Sequence, residues 1–346
     1  MALYVGAVIG AGFASGQEIM QFFGHFGYWG LWGIITATAL FAYLGAVVQV
    51  TAVNLRSSNY REVLDYFLGS RLAKAMDIFS MLMLLGCLGV MLAGSGAIFE
   101  EQMGWPSAAG VVFLALLIIV ILWFGLTGVV AANVVLVPLK LLVVCGVAIL
   151  SLMMVPDVLP TAEMAAENHI TGNWIWAATL YVSYNIILSL AVLSSLGRHI
   201  SRKEAVIGGF AGGLAIGLAA TAVTTAIITY YSVVINYQVP LLYLAGVVHP
   251  AIRFIVSLVI WLAMVTTAIA NAHGFASRLA KSDERRYRLV GAAACLGMTP
   301  VCLFDFSSVV QSVYPLFGLL GLILMGALIL KPVIGIWRRK AKKVEL

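Results

Sequence analysis

Charged residues are scarce in this sequence. Only 10% of its 346 residues are Asp, Glu, Lys or Arg, whereas 62% are hydrophobic. A soluble globular domain carries about 25% charged residues. The scarcity of charge therefore excludes a water-soluble fold and predicts a protein that crosses the lipid bilayer several times.

Cysteine and histidine are few as well. The 4 cysteines lie in apolar stretches and the 5 histidines do not cluster, so neither residue type shows the spacing of a metal site or a disulfide framework. The sequence also contains no H-E-x-x-H and no G-x-S-x-G pattern. We therefore expect no catalytic residues, no resident cofactor and no enzyme activity.

The net charge of +6 does not indicate nucleic-acid binding, because the basic residues are confined to short loops and a terminal tail. The basic segments lie near 56–74, 198–203, 278–288 and 338–343, and the acidic ones near 100–101 and 157–167. In the predicted topology all basic segments fall on one side of the membrane. Because basic loops remain in the cytoplasm, we expect a multi-pass protein of the inner (plasma) membrane with both termini cytoplasmic.

Apolar runs of about 20 residues or more, enough to cross a bilayer core, predict about ten transmembrane helices. They lie near 2–24, 28–54, 72–98, 105–126, 128–155, 172–197, 203–233, 252–279, 287–304 and 308–337. The polar stretch 156–171, predicted to be extracellular, divides them into a first repeat, 1–155, and a second repeat with a basic tail, 172–346. Each half holds an odd number of spans, so the halves would be inverted relative to each other, as in many transporters. The predicted fold is an all-α polytopic membrane protein built as an inverted repeat.

The first predicted span contains a dense cluster of glycines, Gly6-Ala-Val-Ile-Gly-Ala-Gly-Phe-Ala-Ser-Gly-Gln-Glu18. Glycine in a helix interior costs about 1 kcal/mol, and freed backbone groups at membrane depth need protein or water around them. We predict a break around Ala11 to Ser15 that leaves two half-helices, as at the binding sites of secondary transporters. Close helix packing by small residues is the alternative explanation.

The break also supplies the predicted substrate site. Backbone N–H groups near Phe13 to Gly16 would bind an anionic group of the substrate. Glu18, near the start of the outer half-helix, would either cap that helix or take part in gating or in holding a substrate cation. The candidate substrate residues in this segment are Gly10, Gly12, Phe13, Ala14, Ser15, Gly16 and Glu18.

Inverted symmetry predicts a second break, in span six. Tyr181, Ser183 and Asn185 lie in the middle of that span, where Ser and Asn side chains can replace helix hydrogen bonds. Backbone carbonyls around Tyr181 to Ser183 would then bind an ammonium group. Ordinary interhelical hydrogen bonds explain the two polar side chains equally well.

Two further spans place polar groups at membrane depth. Lys140 in span five lies too far from either end to reach the interface with ease, so we expect it to face the interior with a partner. Thr266 and Thr267 in span eight follow the small residue Ala263 by about one turn. Such hydroxyls commonly bond back to their own helix, and cation binding is the alternative.

The segment Gly6 to Gly12 resembles the broken first helix of the amino-acid/polyamine/organocation (APC) superfamily, which has the leucine-transporter (LeuT) fold. The motif through Glu18 resembles the bacterial YkvI-type membrane proteins. The resemblance covers nearly the whole chain and implies helices one and six that are both broken.

The resemblance also implies an ion site. In sodium-coupled members, a sodium ion is held at the positions of Gly6, Ile9, Ala263, Thr266 and Thr267. In sodium-independent members, a lysine at the position of Lys140 takes the place of that ion. Phe13 stands where leucine-type carriers have an asparagine that helps to bind a second sodium, so a second sodium site is not expected.

These features predict a secondary active transporter of a small amino acid or a related amine or carboxylate, with cation coupling and alternating access. Burial disfavours the charged form of a lysine, so Lys140 can exchange protons, and H+ is favoured over Na+. A Na+-coupled symporter that uses the site between helices one and eight is the alternative, and a passive channel or an intramembrane enzyme is less favoured. The expected partners are a small-molecule substrate, H+ or Na+, and the lipid bilayer; Na+ is the sole candidate cofactor, and nucleic acid is not expected.

Overall fold

The computed structural model describes residues 1–57, 59–124, 127–154, 172–280 and 283–344. All regular secondary structure in these ranges is helical. The α-helices are α1 Ala2–Val8, α2 Ala11–Ser15, α3 Gln17–Phe22, α4 Tyr28–Leu55, α5 Tyr60–Met103, α6 Ser107–Phe124, α7 Thr127–Met153, α8 Trp174–Ser195, α9 Arg202–Thr229, α10 Tyr231–Val234, α11 Pro240–Val248, α12 Pro250–Ala280, α13 Glu284–Gly297 and α14 Phe306–Val344. Short 3-10 helices cover Gly24–Phe26, Leu196–Arg198 and Thr299–Leu303.

The helices match the predicted spans. Among the described residues, 8 helices are long and apolar enough to cross a membrane: α4, α5, α6, α7, α8, α9, α12 and α14. The first predicted span is divided among α1, α2 and α3, and the ninth corresponds to α13, which has only 14 residues. The prediction of an all-α polytopic membrane protein is confirmed.

The break predicted in span six is wrong, because α8 is a continuous helix of 22 residues. The polar side chains in the middle of α8 form hydrogen bonds without interrupting the backbone hydrogen bonds of the helix. The Asn185 side chain donates to the Tyr181 carbonyl of its own helix over 3.0 Å. The Ser183 hydroxyl donates to the Gly318 carbonyl of α14 over 2.7 Å. The Ser183 bond is an ordinary interhelical hydrogen bond, the alternative explanation for these residues, whereas the Asn185 bond stays within α8.

Glycines allow α4 and α9 to approach each other closely. At Gly213 an added Cβ would lie 2.5 Å from the Ala42 Cα atom, a distance that no side chain tolerates. Gly209 and Gly217, four residues to either side, face Ala46 and Thr38 in the same way. This stripe is the small-residue packing surface typical of membrane helices.

Helices of the first half pack against their counterparts in the second. Contacts join α1 to α8, α4 to α9, α5 to α12 and α6 to α13. In the predicted numbering these are spans one and six, two and seven, three and eight, and four and nine. Such pairing is expected for halves related by a two-fold axis. The repeat boundaries remain a prediction, and the joining loop 156–171 lies outside the described residues.

Two polar clusters mark opposite ends of the bundle. At one end, Arg61 and Arg278 flank Asp77, with N–O distances of 3.2 and 3.6 Å. At the other end, the Arg253 guanidinium donates to the Glu101 carbonyl over 2.7 Å. Because α5 and α12 each contribute to both clusters, these two helices run antiparallel through the bundle.

Cysteine labelling tests the predicted orientation of these ends. With the native cysteines replaced, a cysteine at Arg285, which follows the Arg278 end, should react with an impermeant maleimide only after the cells are permeabilised. A cysteine at Asn236, near the Arg253 end, should react in intact cells. Both positions are exposed, so any difference in labelling reports the side of the membrane. The reverse pattern would contradict the cytoplasmic placement of the basic segments.

Candidate substrate and cation site

The first membrane segment is interrupted twice. Ile9 and Gly10 lie outside the helix after α1, and Gly10 is extended, with φ −82° and ψ −168°. Gly16, between α2 and α3, has a φ of 82°, a left-handed conformation that glycine adopts without steric cost. The predicted position of the break, around Ala11 to Ser15, is therefore wrong. Those residues are helical, and the interruptions lie on either side of them.

Several backbone groups of the interrupted segment are already bonded to one another. The Ala14 N–H donates to the Gly10 carbonyl, and the Gly16 N–H donates to the Phe13 carbonyl, each over 3.0 Å. Two of the predicted anion-binding N–H groups are thus engaged within the backbone. This leaves less donor capacity for a substrate anion than the sequence suggested.

Ser15 links the two short helices. Its hydroxyl donates to the Gly12 carbonyl over 2.7 Å and accepts from the Gln17 N–H over 3.2 Å. Phe13, Ala14 and Ser15 are all fully buried. These residues hold the shape of the interrupted segment.

Glu18 is a buried acid in the first turn of α3, and only 4% of it is exposed. The Tyr184 hydroxyl of α8 donates to one carboxyl oxygen, and Asn185 and Tyr181 lie beside the same group. The other oxygen faces Gly12, where an added Cβ would contact it. The carboxyl of Glu18 therefore lies beside the segment at which a substrate anion was predicted.

Aromatic rings surround this carboxyl. The Tyr184 ring stacks on Tyr314 of α14 with a centroid distance of 5.1 Å, and the Tyr181 ring meets Tyr184 edge to face at 5.7 Å. Phe22 lies 5.4 Å from Tyr181 and 5.6 Å from Tyr184. The Tyr181 hydroxyl is buried and interacts with the Glu18 carboxyl, and its oxygen accepts no hydrogen bond from the described part of the chain.

Sequence reasoning missed Tyr184 and Tyr314. Tyr184 lies inside the polar stretch of span six that we singled out, and its position three residues after Tyr181 places both on one helix face. Tyr314 has no local signal, because nothing in the sequence around it distinguishes it from other aromatic residues of the membrane helices. Only the packing of α14 against α8 brings it to the site.

A short helix covers the site on the side of Glu101. An added Cβ at Gly16 would lie 3.3 Å from both the Pro240 Cβ and the Leu241 backbone nitrogen of α11. The segment before α11 is fixed by Glu101, whose carboxyl accepts from the Gln238 N–H over 2.5 Å. This short helix therefore lies over the interrupted segment, and the structure is closed on this side.

Lys140 on α7 is buried, with 6% of the residue exposed. One turn earlier, Val137 contacts α1, since an added Cβ at Gly6 would lie 2.8 Å from a Val137 methyl. Lys140 and Glu18 interact electrostatically. The lysine therefore faces the interior, as predicted, and its charge acts on the acid of the broken segment.

The remaining predicted ion ligands lie on α12, which packs against both α2 and α7. Ala263 is 1% and Thr266 7% exposed, whereas Thr267 is half-buried. The Thr266 hydroxyl donates to the Ala263 carbonyl over 3.1 Å, the internal bond that we gave as the alternative. The Thr266 oxygen still has lone pairs that can bind a cation. This group therefore suits either Na+ or the ammonium of Lys140.

Sequence comparisons find relatives in one bacterium. The chain is 28% identical over 338 residues to the uncharacterized membrane protein YkvI of Bacillus subtilis, covering 95% of this chain and 94% of the relative. It is 27% identical over 344 residues to the YyaD protein of the same organism, covering 98% and 97%. No established family model matches the chain.

Structure comparisons find solved transporters. MhsT in complex with L-phenylalanine matches with a TM-score of 0.65 at 14% identity, over 92% of this chain and 86% of that protein. A Na+-coupled sialic acid symporter matches with a TM-score of 0.61 at 17% identity, over 95% and 77%. Inward-facing Mhp1 matches with a TM-score of 0.59 at 15% identity, over 95% and 74%. The chain is therefore an all-α polytopic membrane protein with the fold of the LeuT-type transporters.

Proposed function

We propose that the chain is a cation-coupled secondary transporter of a small amino acid or a related amine or carboxylate. The observation that carries this proposal is the twice-interrupted first segment, which places a buried acid, Glu18, within the electrostatic field of a buried base, Lys140. Buried charges in a membrane are costly and mark sites for a ligand, a proton or an ion. A structural anchor has no need of either charge at this depth, and the uptake experiment below separates a transporter from a channel.

Alternating access gives the two sides of the site different roles. α11 covers the site on the side of Glu101, which supports a closed outer entrance. An added Cβ at Gly10 would meet no described atom within 4 Å, and Gly6 and Ala7 of α1 are half-buried. This open space supports access from the predicted cytoplasmic side, in the plasma membrane, with both termini inside the cell.

For the coupling ion we favour H+ carried by Lys140. A lysine and a sodium ion about 4 Å apart would repel by about 4 kcal/mol even at an effective dielectric constant of 20, so one of them must be absent from the site. Lys140 is part of the chain and is buried, whereas Thr266 already bonds to Ala263. The Na+-coupled alternative draws support from the sialic acid symporter, which shares the fold and is itself Na+-coupled.

Uptake by the purified protein in proteoliposomes tests this function. We expect saturable accumulation of at least one radiolabelled amino acid or amine when the outside is acidic relative to the inside, without sodium on either side. Collapse of the gradient with a protonophore should abolish accumulation. Equilibration that never exceeds the external concentration would indicate a channel, and accumulation only with a sodium gradient would establish the alternative ion.

A further inference from the structure

We infer that Glu18 and the tyrosines around it bind a primary ammonium group of the substrate. This inference rests on the proposed transport function and narrows its substrate to molecules that carry such a group. The tyrosine cluster, as we call it here, consists of Tyr181, Tyr184 and Tyr314.

The first argument is the unbalanced charge. Among the side chains that the structure describes, no lysine or arginine nitrogen lies within 4.0 Å of the Glu18 carboxyl. Lys140 acts on it from farther away. The close partners of this carboxyl, such as the Tyr184 hydroxyl, are neutral. A buried carboxylate is stabilised best by a close positive charge, and a cation from the substrate would supply it.

The second argument is the acceptor capacity of the Tyr181 oxygen. Tyr181 is 1% exposed, its hydroxyl interacts with the Glu18 carboxyl, and its oxygen accepts no hydrogen bond from the described part of the chain. A phenolic oxygen can accept a hydrogen bond as well as donate one. A primary ammonium has three N–H donors, so it can donate to the Glu18 carboxylate and to the Tyr181 oxygen together.

The third argument is the aromatic surround. Tyr181, Tyr184 and Tyr314 are each at most 4% exposed, and their rings contact one another beside the acid. Ring faces attract cations, and the attraction grows when water is excluded. The acceptor oxygen of Tyr181 favours a primary ammonium over a quaternary one, because a quaternary group has no N–H to donate. An anionic group at the same place would be repelled by Glu18.

A matched ligand set tests the inference on the full-length protein in nanodiscs. We use leucine, 3-methylbutylamine and 4-methylpentanoate, which present the same side chain with both charged groups, the ammonium alone and the carboxylate alone. Binding is measured as the concentration dependence of the thermal unfolding temperature. The two amines should stabilise the protein, and 4-methylpentanoate should bind at least about tenfold more weakly, a difference of about 1.4 kcal/mol.

Glu18→Gln should abolish stabilisation by both amines, because the amide keeps the shape but not the charge. The control Glu62→Gln, at an exposed acid in the first turn of α5, should leave amine binding unchanged. If Glu18→Gln does not fold, Tyr181→Phe provides a second variant, and it should weaken 3-methylbutylamine binding while preserving the ring.

The outcomes separate this inference from the transport function. Amine uptake by the native protein with full amine affinity in Glu18→Gln would overturn the ammonium assignment and leave transport intact. Uptake in Glu18→Gln that no longer depends on pH would assign Glu18 to a proton instead, and would also overturn it. Stabilisation by 4-methylpentanoate alone would show that the site binds anions. Absence of any concentrative uptake by the native protein would overturn the transport function itself.

Discussion

Lys140→Ala is expected to abolish uptake driven by a pH gradient. The substitution removes the group that carries the proton in the proposed mechanism, a buried lysine whose charge acts on Glu18. We expect the initial rate to fall by roughly a hundredfold, which corresponds to about 2.7 kcal/mol on the transport barrier. The measurement is initial uptake into proteoliposomes with an acidic exterior and no sodium.

Two companion variants sharpen this result. Lys140→Arg keeps the positive charge but cannot release a proton, so it should lose coupling to the pH gradient while it retains exchange of internal for external substrate. Lys203→Ala removes an exposed lysine at the start of α9 and should transport like the native protein. If Lys140→Ala accumulates substrate normally and requires sodium, Thr266 and Thr267 hold a metal ion and the lysine has another purpose.

Gly12→Leu is expected to eliminate substrate binding without preventing insertion into the membrane. Even a Cβ at this position would contact a Glu18 carboxyl oxygen and lie 3.0 Å from the Tyr314 hydroxyl. Overpacking of this kind commonly costs about 1–3 kcal/mol, and here the strain falls on the groups that would hold the ligand. Gly12→Ala should already weaken binding by roughly tenfold, as measured by ligand-induced thermal stabilisation.

The matched control adds the same side chain where there is room for it. An added Cβ at Gly326 of α14 meets no described atom within 4 Å, so Gly326→Leu should insert, fold and bind like the native protein. Both variants make their segments more apolar, so membrane insertion should be equal. Native affinity in Gly12→Leu would show that the glycine serves packing alone and that the substrate binds elsewhere.

The sequence alone predicted the spans and the existence of the first break, for local reasons. A run of apolar residues long enough to cross a bilayer is enough to predict a transmembrane helix. The density of glycine between Gly6 and Gly16 disfavours a regular helix whatever the surroundings of that segment in the fold. Lys140 and Glu18 were recognisable in the same way, since a charge in an apolar stretch is conspicuous. Each of these inferences depends on neighbours within a few turns.

The tertiary structure decided where the break lies and which helix is continuous. The left-handed turn at Gly16 lies directly beneath Pro240 and Leu241, which are distant in sequence. α8 is continuous, and the Ser183 hydroxyl in its middle donates to the Gly318 carbonyl of α14. The polar side chains of span six are compatible with a broken or an intact helix. The sequence of that span alone does not decide between the two, because the decision depends on contacts with other helices.

The character of the site was likewise decided by packing. Glu18 meets Tyr184 from α8, and Tyr314 arrives beside it from α14, so a segment predicted to bind an anion through its N–H groups presents a carboxylate and aromatic rings. The sequence determined that polar groups lie at membrane depth in several helices. Which of them meet is fixed by helix contacts between residues far apart in the chain, and a periodicity read along one helix carries no information about those contacts.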